Sequence, residues 1–362
     1  MKIHFVSGFL GSGKTTAIAA AAGLLSERKL KTGVVTNDQG KYLVDSKFME
    51  LSDIAGAEVK GGCFCCNYDQ LDDRISSLID SENPDVIFGE SVGSCTDLMA
   101  TVIKPMSRFR KEEIDKISFS NFVDSRMLLV HLKGEELPFL PETNYIWLKQ
   151  IEESEILVIN KIDLLKEEEL EKIKSLSAEK YADKKLIFQN SHDLSSVEQW
   201  LKELDSFIPK REKRSIDVDY NIYGKGEANL AWLDEEIEFI SNKNDAVNTA
   251  LSFVEKVYSD AKSNWLPIGH LKFFLSTPAE SLKISITTVI WNENWRETIK
   301  LKEADKVKLL VNARIQTSPE KLREIVSDAV KSFSSAGTLL LKEQNISYFQ
   351  PGFPNPTHRF TE

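Results

Sequence analysis

The chain has 362 residues, of which 41% are hydrophobic and 28% are charged, and its formal net charge is −10. This composition is typical of globular proteins large enough for two domains, and it argues against the disordered and fibrous classes. The acidic balance argues against a nucleic acid as the main partner, because polyanions are bound by basic surfaces. No apolar run is long enough to cross a bilayer, so we expect no membrane partner.

Residues 1–16, MKIHFVSGFLGSGKTT, contain the most specific motif of the chain. An apolar run at 3–6 enters a loop with the spacing Gly-x4-Gly-Lys-Thr, and an alanine-rich stretch that is expected to be helical follows. This order predicts a phosphate-binding P-loop, in which backbone N–H groups point at phosphate oxygens. The apolar run leads into this loop rather than to a signal-peptide cleavage site, so we expect a cytoplasmic protein. The residues predicted to bind the phosphates are Gly8, Gly11, Ser12, Gly13, Lys14, Thr15 and Thr16.

Two side chains of this loop have predicted roles in catalysis and ion binding. Lys14 would reach the β- and γ-phosphates, and the Thr15 hydroxyl would ligate Mg2+. Glu90, which follows a buried apolar run at 86–88, would hold the Mg2+ shell or orient the attacking water. The alternatives are a plain glycine-serine turn and, for Glu90, a solvated carboxylate at a strand end. Asp124, at the end of the next predicted strand, is a second acidic candidate.

A second predicted strand, at 31–36, ends at the sequence NDQG. Residues 41–58 follow this strand end, where ligand-sensing loops lie in open α/β sheets, and we interpret them as a switch loop. Asp38 would sense Mg2+ there and is the third predicted catalytic residue, beside Lys14 and Glu90. The alternative is that the Asp38 side chain stabilises the turn itself.

Three of the four cysteines, Cys63, Cys65 and Cys66, lie in the sequence GGCFCC ahead of a predicted helix. Adjacent cysteines seldom pair, and a helix N-terminus lowers the pKa of a thiol, so we predict metal binding rather than a disulfide framework. Zn2+ and Cu(I) suit such a site, and Co2+ and Ni2+ suit it less strongly. Three thiolates leave a tetrahedral ion one ligand short, which suits a site that passes its ion on.

The alternative for these cysteines is that they are small buried hydrophobic residues. The fourth cysteine, Cys95, is assigned to the core or to a loop. The five histidines are scattered along the chain and are treated as structural, although His270 and His358 are candidates for an extra metal ligand.

A further predicted strand at 155–159 ends in the sequence NKID. The Asp163 carboxylate can accept hydrogen bonds from both N1–H and the N2 amino group of guanine, and adenine offers neither donor there, so GTP is favoured over ATP. Asn160 would bond the other edge of the base, and the Lys161 stem would lie over the ring. Ser191, after the next predicted strand, would give a backbone N–H to the guanine carbonyl.

Strands that alternate with helices and end in polar residues predict an α/β fold with a doubly wound, mostly parallel sheet over residues 1–207. Residues 208–219 are charged and lack periodicity, so we interpret them as a linker. From 220 to 345, alternating apolar positions and two amphipathic helices predict a smaller α+β domain with an antiparallel sheet. Residues 346–362 contain prolines and are expected to form an extended tail.

The ordered motifs GFLGSGKTT, NDQG, GGCFCC, ESVG and NKID resemble those of the CobW-type P-loop GTPases, metal-handling relatives of the HypB and UreG proteins. The resemblance covers residues 1–204. It implies a GTP-dependent metallochaperone in which slow GTP hydrolysis opens or closes a thiolate metal site. By motif, Glu90 would serve hydrolysis, the three clustered cysteines the ion, and Asn160, Lys161 and Asp163 the guanine. This chain departs from the family at NDQGK, where many members carry a second acidic residue, and it lacks a histidine-rich stretch.

The sequence therefore favours a GTP hydrolase that binds GTP or GDP with Mg2+ and delivers a transition metal ion, Zn2+ first, to a client metalloprotein. Because the cysteine loop lies between the switch loop and the Glu90 strand, we expect the GTP state to bind the ion more tightly than the GDP state. Two alternatives remain: a regulatory GTP-binding switch with a structural zinc site, and an activator of a corrinoid or metal-cofactor enzyme. A homodimer is also possible.

Overall fold

A computed structural model describes residues 1–38, 54–208, 215–287, 295–334 and 339–362. Of these, the residues up to 226 and those from 353 to 362 form a first unit, and those from 227 to 352 form a second. In the sequence-based division residues 346–362 were one separate tail. Here residues up to Phe349 complete a strand of the second unit, and residues 353–362 belong to the first.

Parallel strands form the sheet of the first unit, in the order β3-β2-β4-β1-β5-β6-β7 among the described residues. Most are short runs of Val, Ile, Leu and Phe that are buried on both faces, as expected for a sheet covered by helices. The predicted doubly wound α/β fold is confirmed. The strands are β1 (Lys2–Gly8), β2 (Thr32–Asp38), β3 (Ala55–Lys60), β4 (Val86–Glu90), β5 (Lys116–Asp124), β6 (Ile156–Asn160) and β7 (Lys185–Gln189).

Helices connect these strands and cover the sheet. One core centres on Trp200, whose indole packs against Phe88 and Phe122 with ring centroids 5.8 and 5.1 Å apart. A π-helix, Met99–Ile103, leads into the third helix. The helices are α1 (Lys14–Glu27), α2 (Tyr68–Glu82), α3 (Lys104–Phe109), α4 (Ser125–Leu132), α5 (Pro141–Glu153), α6 (Glu167–Lys180), α7 (Leu194–Ser206) and α8 (Tyr220–Ala228).

The second unit contains an antiparallel sheet with the strand order β10-β9-β11-β8-β12 in the described part of the chain. Alternate residues of β11 are fully buried and share a core with two helices, so the predicted α+β domain is confirmed. The elements are β8 (Leu230–Ser241), α9 (Ala246–Ser263), β9 (Ile268–Ser276), β10 (Ser281–Ile286), β11 (Lys306–Gln316), α10 (Pro319–Ser334) and β12 (Leu339–Phe349).

Three strands, β3, β8 and β12, lie where the sequence analysis expected none. Residues 55–60, most of which fall in the predicted switch loop, form β3, while residues 41–53 of that loop lie outside the described residues. The central strand β8 has the sequence LAWLDEEIEFIS, and its acidic run hides the alternating pattern of a half-buried strand. Of the predicted linker, residues 215–219 have no regular secondary structure and residues 209–214 are outside the described part.

Candidate functional site

The loop between β1 and α1 has the backbone conformation that its glycines permit. Gly8 and Gly13 have φ angles of 138° and 95°, where side-chain-bearing residues are strained. A Cβ atom on Gly8 would lie 2.2 Å from the Phe122 carbonyl oxygen, and one on Gly13 would lie 2.3 Å from the Asn160 side-chain nitrogen. The glycines therefore let the loop fold against the ends of β5 and β6.

Two of the three residues with predicted catalytic roles, Lys14 and Glu90, have their side chains at this loop. The Lys14 Nζ atom donates to the Gly8 carbonyl oxygen at 2.6 Å, so the ammonium folds back over the loop. The Thr15 hydroxyl donates to Glu90 Oε1 at 2.8 Å, and both residues are buried. A hydroxyl and a carboxylate side by side are hard oxygen donors, which is the ligand chemistry that Mg2+ requires. Asp38 is the last residue of β2, and its side chain lies outside the described part of the structure.

The residues predicted to recognise the base follow β6 and β7, at the same edge of the sheet as the loop. The Asn160 amide donates to the Ser12 carbonyl oxygen at 2.8 Å and accepts from the Ser191 hydroxyl at 2.9 Å. Both ends of this amide thus join protein groups, and Asn160 ties the phosphate loop to the NKID segment. Asp163 is exposed in a short 3-10 helix, Ile162–Leu164, where its carboxylate is open to a ligand.

Lys161 and Asp124 form a pair that the sequence did not reveal. Lys161 has a left-handed backbone conformation with a φ angle of 64°, and its Nζ lies 3.0 Å from Asp124 Oδ2. Asp124 also caps α4 by accepting from the Arg126 backbone N–H at 3.0 Å. Burial alone would raise the pKa of Asp124, but the charges of Lys161 and Arg126 bring it below its ordinary value. In this structure Asp124 positions Lys161, which differs from the acidic role considered beside Glu90.

The three clustered cysteines bring their sulfur atoms together between β3 and α2. The Sγ–Sγ distances are 2.8 Å for Cys63 and Cys65, 3.2 Å for Cys63 and Cys66, and 3.7 Å for Cys65 and Cys66. Cys63 and Cys65 are buried and Cys66 is half-buried. All three sulfur atoms lie within 4.8 Å of one another. In the described part of the chain, these thiols are the group of side chains close enough together to hold a metal ion.

Hydrogen bonds within this cluster separate the acidities of the thiols. Bonds from Cys65 and Cys66 hold the pKa of Cys63 well below its ordinary value. The pKa of Cys65 is raised well above the ordinary value, and that of Cys66 is raised to about 11, since each thiol shares a hydrogen bond with Cys63. Hydrogen bonds within the cluster therefore stabilise a thiolate among the three sulfur atoms.

Asn37, at the end of β2, holds the cysteine loop in place. Its amide nitrogen donates to the carbonyl oxygens of Val59 and Gly62 at 3.2 and 2.7 Å, and its side-chain oxygen accepts from the Phe64 backbone N–H at 2.7 Å. The sequence analysis noted Asn37 within NDQG but gave it no role. The signal was available, because a buried asparagine beside a loop commonly satisfies backbone groups.

The C-terminal segment, residues 355–360, lies against the same loop. The Asn355 backbone N–H donates to Cys66 Sγ at 3.2 Å, and the Thr357 backbone N–H donates to the Cys65 carbonyl oxygen at 2.8 Å. The His358 ring packs against Tyr68, with centroids 5.0 Å apart, so this candidate ligand contributes to an aromatic cluster here. The other candidate, His270, lies on β9 in the second unit. No local sequence signal marked this tail as part of the site.

In the described parts of the chain, no helix combines the length and the apolar composition that crossing a bilayer requires.

Comparison with known proteins places these features in context. The family model described as the CobW/HypB/UreG nucleotide-binding domain matches residues 2–188. The zinc-regulated GTPase metalloprotein activator 1 of Dictyostelium discoideum is 24% identical over 205 residues, which are 49% of this chain and 43% of that protein. The zinc chaperone YeiR of Escherichia coli is 28% identical over 171 residues, which are 45% of this chain and 47% of the length of YeiR. The match therefore spans less than half the length of each of these curated relatives.

Among solved structures, HypB from Helicobacter pylori in complex with nickel is similar to this chain with a TM-score of 0.42 and 14% sequence identity. The alignment covers 59% of this chain and 91% of that one.

Proposed function

Because the chain belongs to the CobW/HypB/UreG nucleotide-binding family, we propose that it is a GTP hydrolase whose nucleotide cycle controls the binding and delivery of a transition metal ion. The observation that carries this proposal is the gathering of three thiols within 3.7 Å of one another, on a loop that Asn37 holds. That loop follows β3, whose carboxyl end lies at the same edge of a parallel sheet as the phosphate loop. One edge thus carries both a nucleotide loop and a soft-metal ligand set.

The nucleotide half of the function uses groups that are already adjacent. Lys14 leaves the Gly8 carbonyl to contact the β- and γ-phosphates, and the loop N–H groups hold the remaining phosphate oxygens. Thr15 and Glu90 would hold Mg2+, and the ion would neutralise the negative charge that develops on the phosphates. Glu90 also orients the attacking water, and Asp163 selects guanine through its two hydrogen-bond donors.

The metal half uses the cysteines. Zn2+ with four ligands and Zn–S bonds of about 2.3 Å separates its sulfur ligands by roughly 3.8 Å. The sulfur atoms here are 2.8 to 3.7 Å apart, so a small expansion of the cluster accommodates an ion. Binding releases thiol protons, because the ligands are thiolates. Cys66, which is half-buried, provides the side on which the ion enters and leaves.

We assign Zn2+ as the first candidate ion because sulfur ligands suit it and because two relatives carry zinc in their names. Co2+ and Ni2+ fit the same ligands less well. The recipient in this proposal is a client metalloprotein in the cytoplasm, where thiols stay reduced. GTP hydrolysis makes the transfer directional, since the GDP state releases an ion that the GTP state holds.

A competition titration under anaerobic conditions tests this proposal. Zn2+ affinity is measured with a chromophoric chelator for protein loaded with GDP and with a non-hydrolysable GTP analogue. We expect tighter binding with the analogue, and loss of this binding when Cys63, Cys65 and Cys66 are all changed to serine. Lys14→Ala is the matched control, because it should keep the thiols and lose the nucleotide effect. Equal affinities in the two nucleotide states would contradict the proposal.

A second candidate is a GTP-binding switch with a structural zinc site, which the burial of Cys63 and Cys65 favours. Structural zinc sites contribute folding energy, so removal of the ion would then lower the melting temperature sharply. A transferable ion would leave the apo protein folded and able to take up metal again. Circular dichroism and metal reloading after chelation distinguish the two functions.

A further inference from the structure

The C-terminal segment, residues 355–360, contacts the most exposed of the three clustered thiols. Cys66 is half-buried, and the Asn355 backbone N–H donates to its Sγ atom at 3.2 Å. Thr357 bonds the cysteine loop twice: its backbone N–H donates to the Cys65 carbonyl oxygen at 2.8 Å, and its hydroxyl donates to the Cys66 carbonyl oxygen at 3.2 Å. The segment therefore lies against the sulfur atom through which an ion enters and leaves in the proposed function.

The other half of this segment is fixed to the chain that follows β4. The Arg359 Nε atom donates to Asp97 Oδ2 at 2.7 Å. The Phe360 backbone N–H donates to the Ala100 carbonyl oxygen at 2.8 Å. The C-terminal segment thus joins two parts of the first unit, the cysteine loop and residues 97–100.

Asp97 is placed to hold a cationic side chain. Its own side chain is fully buried, and its backbone is left-handed with a φ angle of 65°. Strain of this kind persists where the surrounding structure enforces it, commonly at switch regions. The carboxylate also accepts from the Tyr220 hydroxyl at 2.7 Å. A buried carboxylate requires such partners, and Arg359 is the cation that the C-terminal segment supplies.

The chain that carries Asp97 starts at the phosphate loop. Glu90, the last residue of β4, accepts from the Thr15 hydroxyl at 2.8 Å. A Cβ atom on Gly93 would lie 2.9 Å from the Leu10 backbone nitrogen, so the two backbones are in close contact. The seven residues after Glu90 therefore lead from the groups that face the nucleotide to the ion pair with the C-terminal segment.

We propose that the C-terminal segment is a strap that retains the metal ion, and that the Asp97–Arg359 ion pair keeps it closed. In the closed state the Asn355 N–H holds the Cys66 sulfur in place, as groups that bond metal ligands do. Loss of the γ-phosphate moves Glu90 and the chain that follows it, which weakens the ion pair and opens the segment. A competing ligand then reaches the ion beside Cys66.

This proposal rests on the proposed function, because it presupposes that the thiol cluster takes up a metal ion. It adds the means by which release is regulated. The nucleotide acts on the segment that covers the ligand set, through residues 90–97.

The rate of Zn2+ transfer from the loaded protein to an excess of a chromophoric chelator tests this role, with the GTP analogue bound and oxygen excluded. Arg359→Ala should speed the transfer about tenfold or more, because a hydrogen bond to a charged group shifts an equilibrium by such a factor. Arg359→Lys should recover part of the effect, since an ammonium keeps the charge but lacks the planar guanidinium. Thr361→Ala, at an exposed neighbouring residue, is the matched control and should leave the rate unchanged.

Hydrogen exchange of the unchanged protein is a second test, which needs no variant to fold. The backbone N–H groups of Asn355, Thr357 and Phe360 all donate hydrogen bonds in this structure. A peptide covering residues 353–362 should therefore be protected with Zn2+ and the GTP analogue bound, and it should exchange about tenfold faster with GDP.

The outcomes separate the two proposals. Equal transfer rates for Arg359→Ala and the unchanged protein would overturn the role of the C-terminal segment and leave the metal function in place. Equal exchange of residues 353–362 in the two nucleotide states would do the same. Failure of the unchanged protein to take up Zn2+ would instead contradict the proposed function itself.

Discussion

Both units bury charged side chains, but they place them differently. In the second unit, Arg314 and Asp234 are fully buried within the adjacent strands β11 and β8, with Nη1 and Oδ1 2.7 Å apart. The Arg314 guanidinium also lies over the Trp232 ring, 3.9 Å from its centroid. In the first unit, Lys14 and Glu90 lie where the loop after β1 and the end of β4 reach the edge of the sheet.

Buried charges in the second unit therefore stabilise the fold, whereas those at the sheet edge of the first unit are placed to act on a ligand. A side chain in the middle of a strand has neighbours on every side, so its charge is neutralised by a fixed protein partner. At the carboxyl end of a parallel strand the chain turns away, which leaves a direction free for a ligand. The comparison predicts that changes in the second unit lower stability, and that changes at the sheet edge of the first lower function.

The largest effect is expected for Arg314→Ala. This change leaves the Asp234 carboxylate buried without its cation, and breaking a buried pair in this way costs about 3–5 kcal/mol. Chemical denaturation measures the free energy of unfolding. Replacement of both residues, Arg314→Met with Asp234→Leu, is the control and should recover much of the loss. A single variant within about 0.5 kcal/mol of the unchanged protein would contradict the structural role.

Lys14→Ala should lower the rate of GTP hydrolysis and leave the stability of the fold nearly unchanged. The change removes the cation at the phosphates, and loss of one preorganised charged donor lowers the rate of hydrolysis about a hundredfold or more. Stability should change little, because the ammonium hydrogen-bonds to the Gly8 and Phe9 carbonyl oxygens of its own loop. Single-turnover GTP hydrolysis and a melting curve are measured together. Unchanged hydrolysis would remove Lys14 from the predicted site.

Each unit also contains a buried glutamate that makes the stability of the protein depend on pH. Burial raises the pKa of Glu153 to about 8, and it also raises that of Glu235 to about 8 although Arg323 lies 3.0 Å away. A carboxyl group whose folded pKa is raised binds a proton that the unfolded chain releases, so it lowers stability as pH rises from about 4.5 to about 8.

Glu153→Gln should therefore gain stability relative to the unchanged protein across this window, by at most about 1.4 kcal/mol for each pH unit. Its amide can keep the bonds to Thr96 and to the Met99 N–H that the carboxyl makes at 3.1 Å. Glu235→Gln should show a similar gain, because its carboxyl group is also protonated over most of this window and an amide oxygen can accept the same hydrogen bond from Arg323. Unfolding curves between pH 5 and pH 8 measure the stability of both variants relative to the unchanged protein. If the stability of Glu153→Gln depends on pH in the same way as that of the unchanged protein, the raised pKa of Glu153 is refuted.

The smallest effect is expected for Asn37→Ala. The change removes three hydrogen bonds that hold the cysteine loop, so metal affinity should fall about tenfold, as for other residues that position metal ligands. Nucleotide affinity should stay within a factor of about two, which separates this change from Lys14→Ala. Zn2+ competition and nucleotide binding are measured on the same preparation. Loss of both affinities would instead indicate a general collapse of the sheet edge.

Spacing along the chain predicted the elements whose partners are local. The P-loop glycines, the GGCFCC cluster and the strand ends of the parallel sheet follow from runs of a few residues, since each depends on backbone conformation or on neighbouring side chains. The same approach missed β8, because Asp234, Glu235 and Glu236 look solvated until their partners on β11 and α10 are known. Asp163 was assigned from its motif alone, and its role stays a prediction.

The parallel sheet, the nucleotide loop and the clustered thiols could be predicted from local patterns, because periodicity and glycine spacing act over one turn or one strand. The surroundings of those thiols depend on contacts between residues that are far apart in the chain. The Asn355 backbone N–H contacts the Cys66 sulfur from 289 residues further along the chain, and no local pattern predicts this contact. Such contacts form when folding brings distant parts of the backbone together, and they shape the thiol cluster as much as its own motif does.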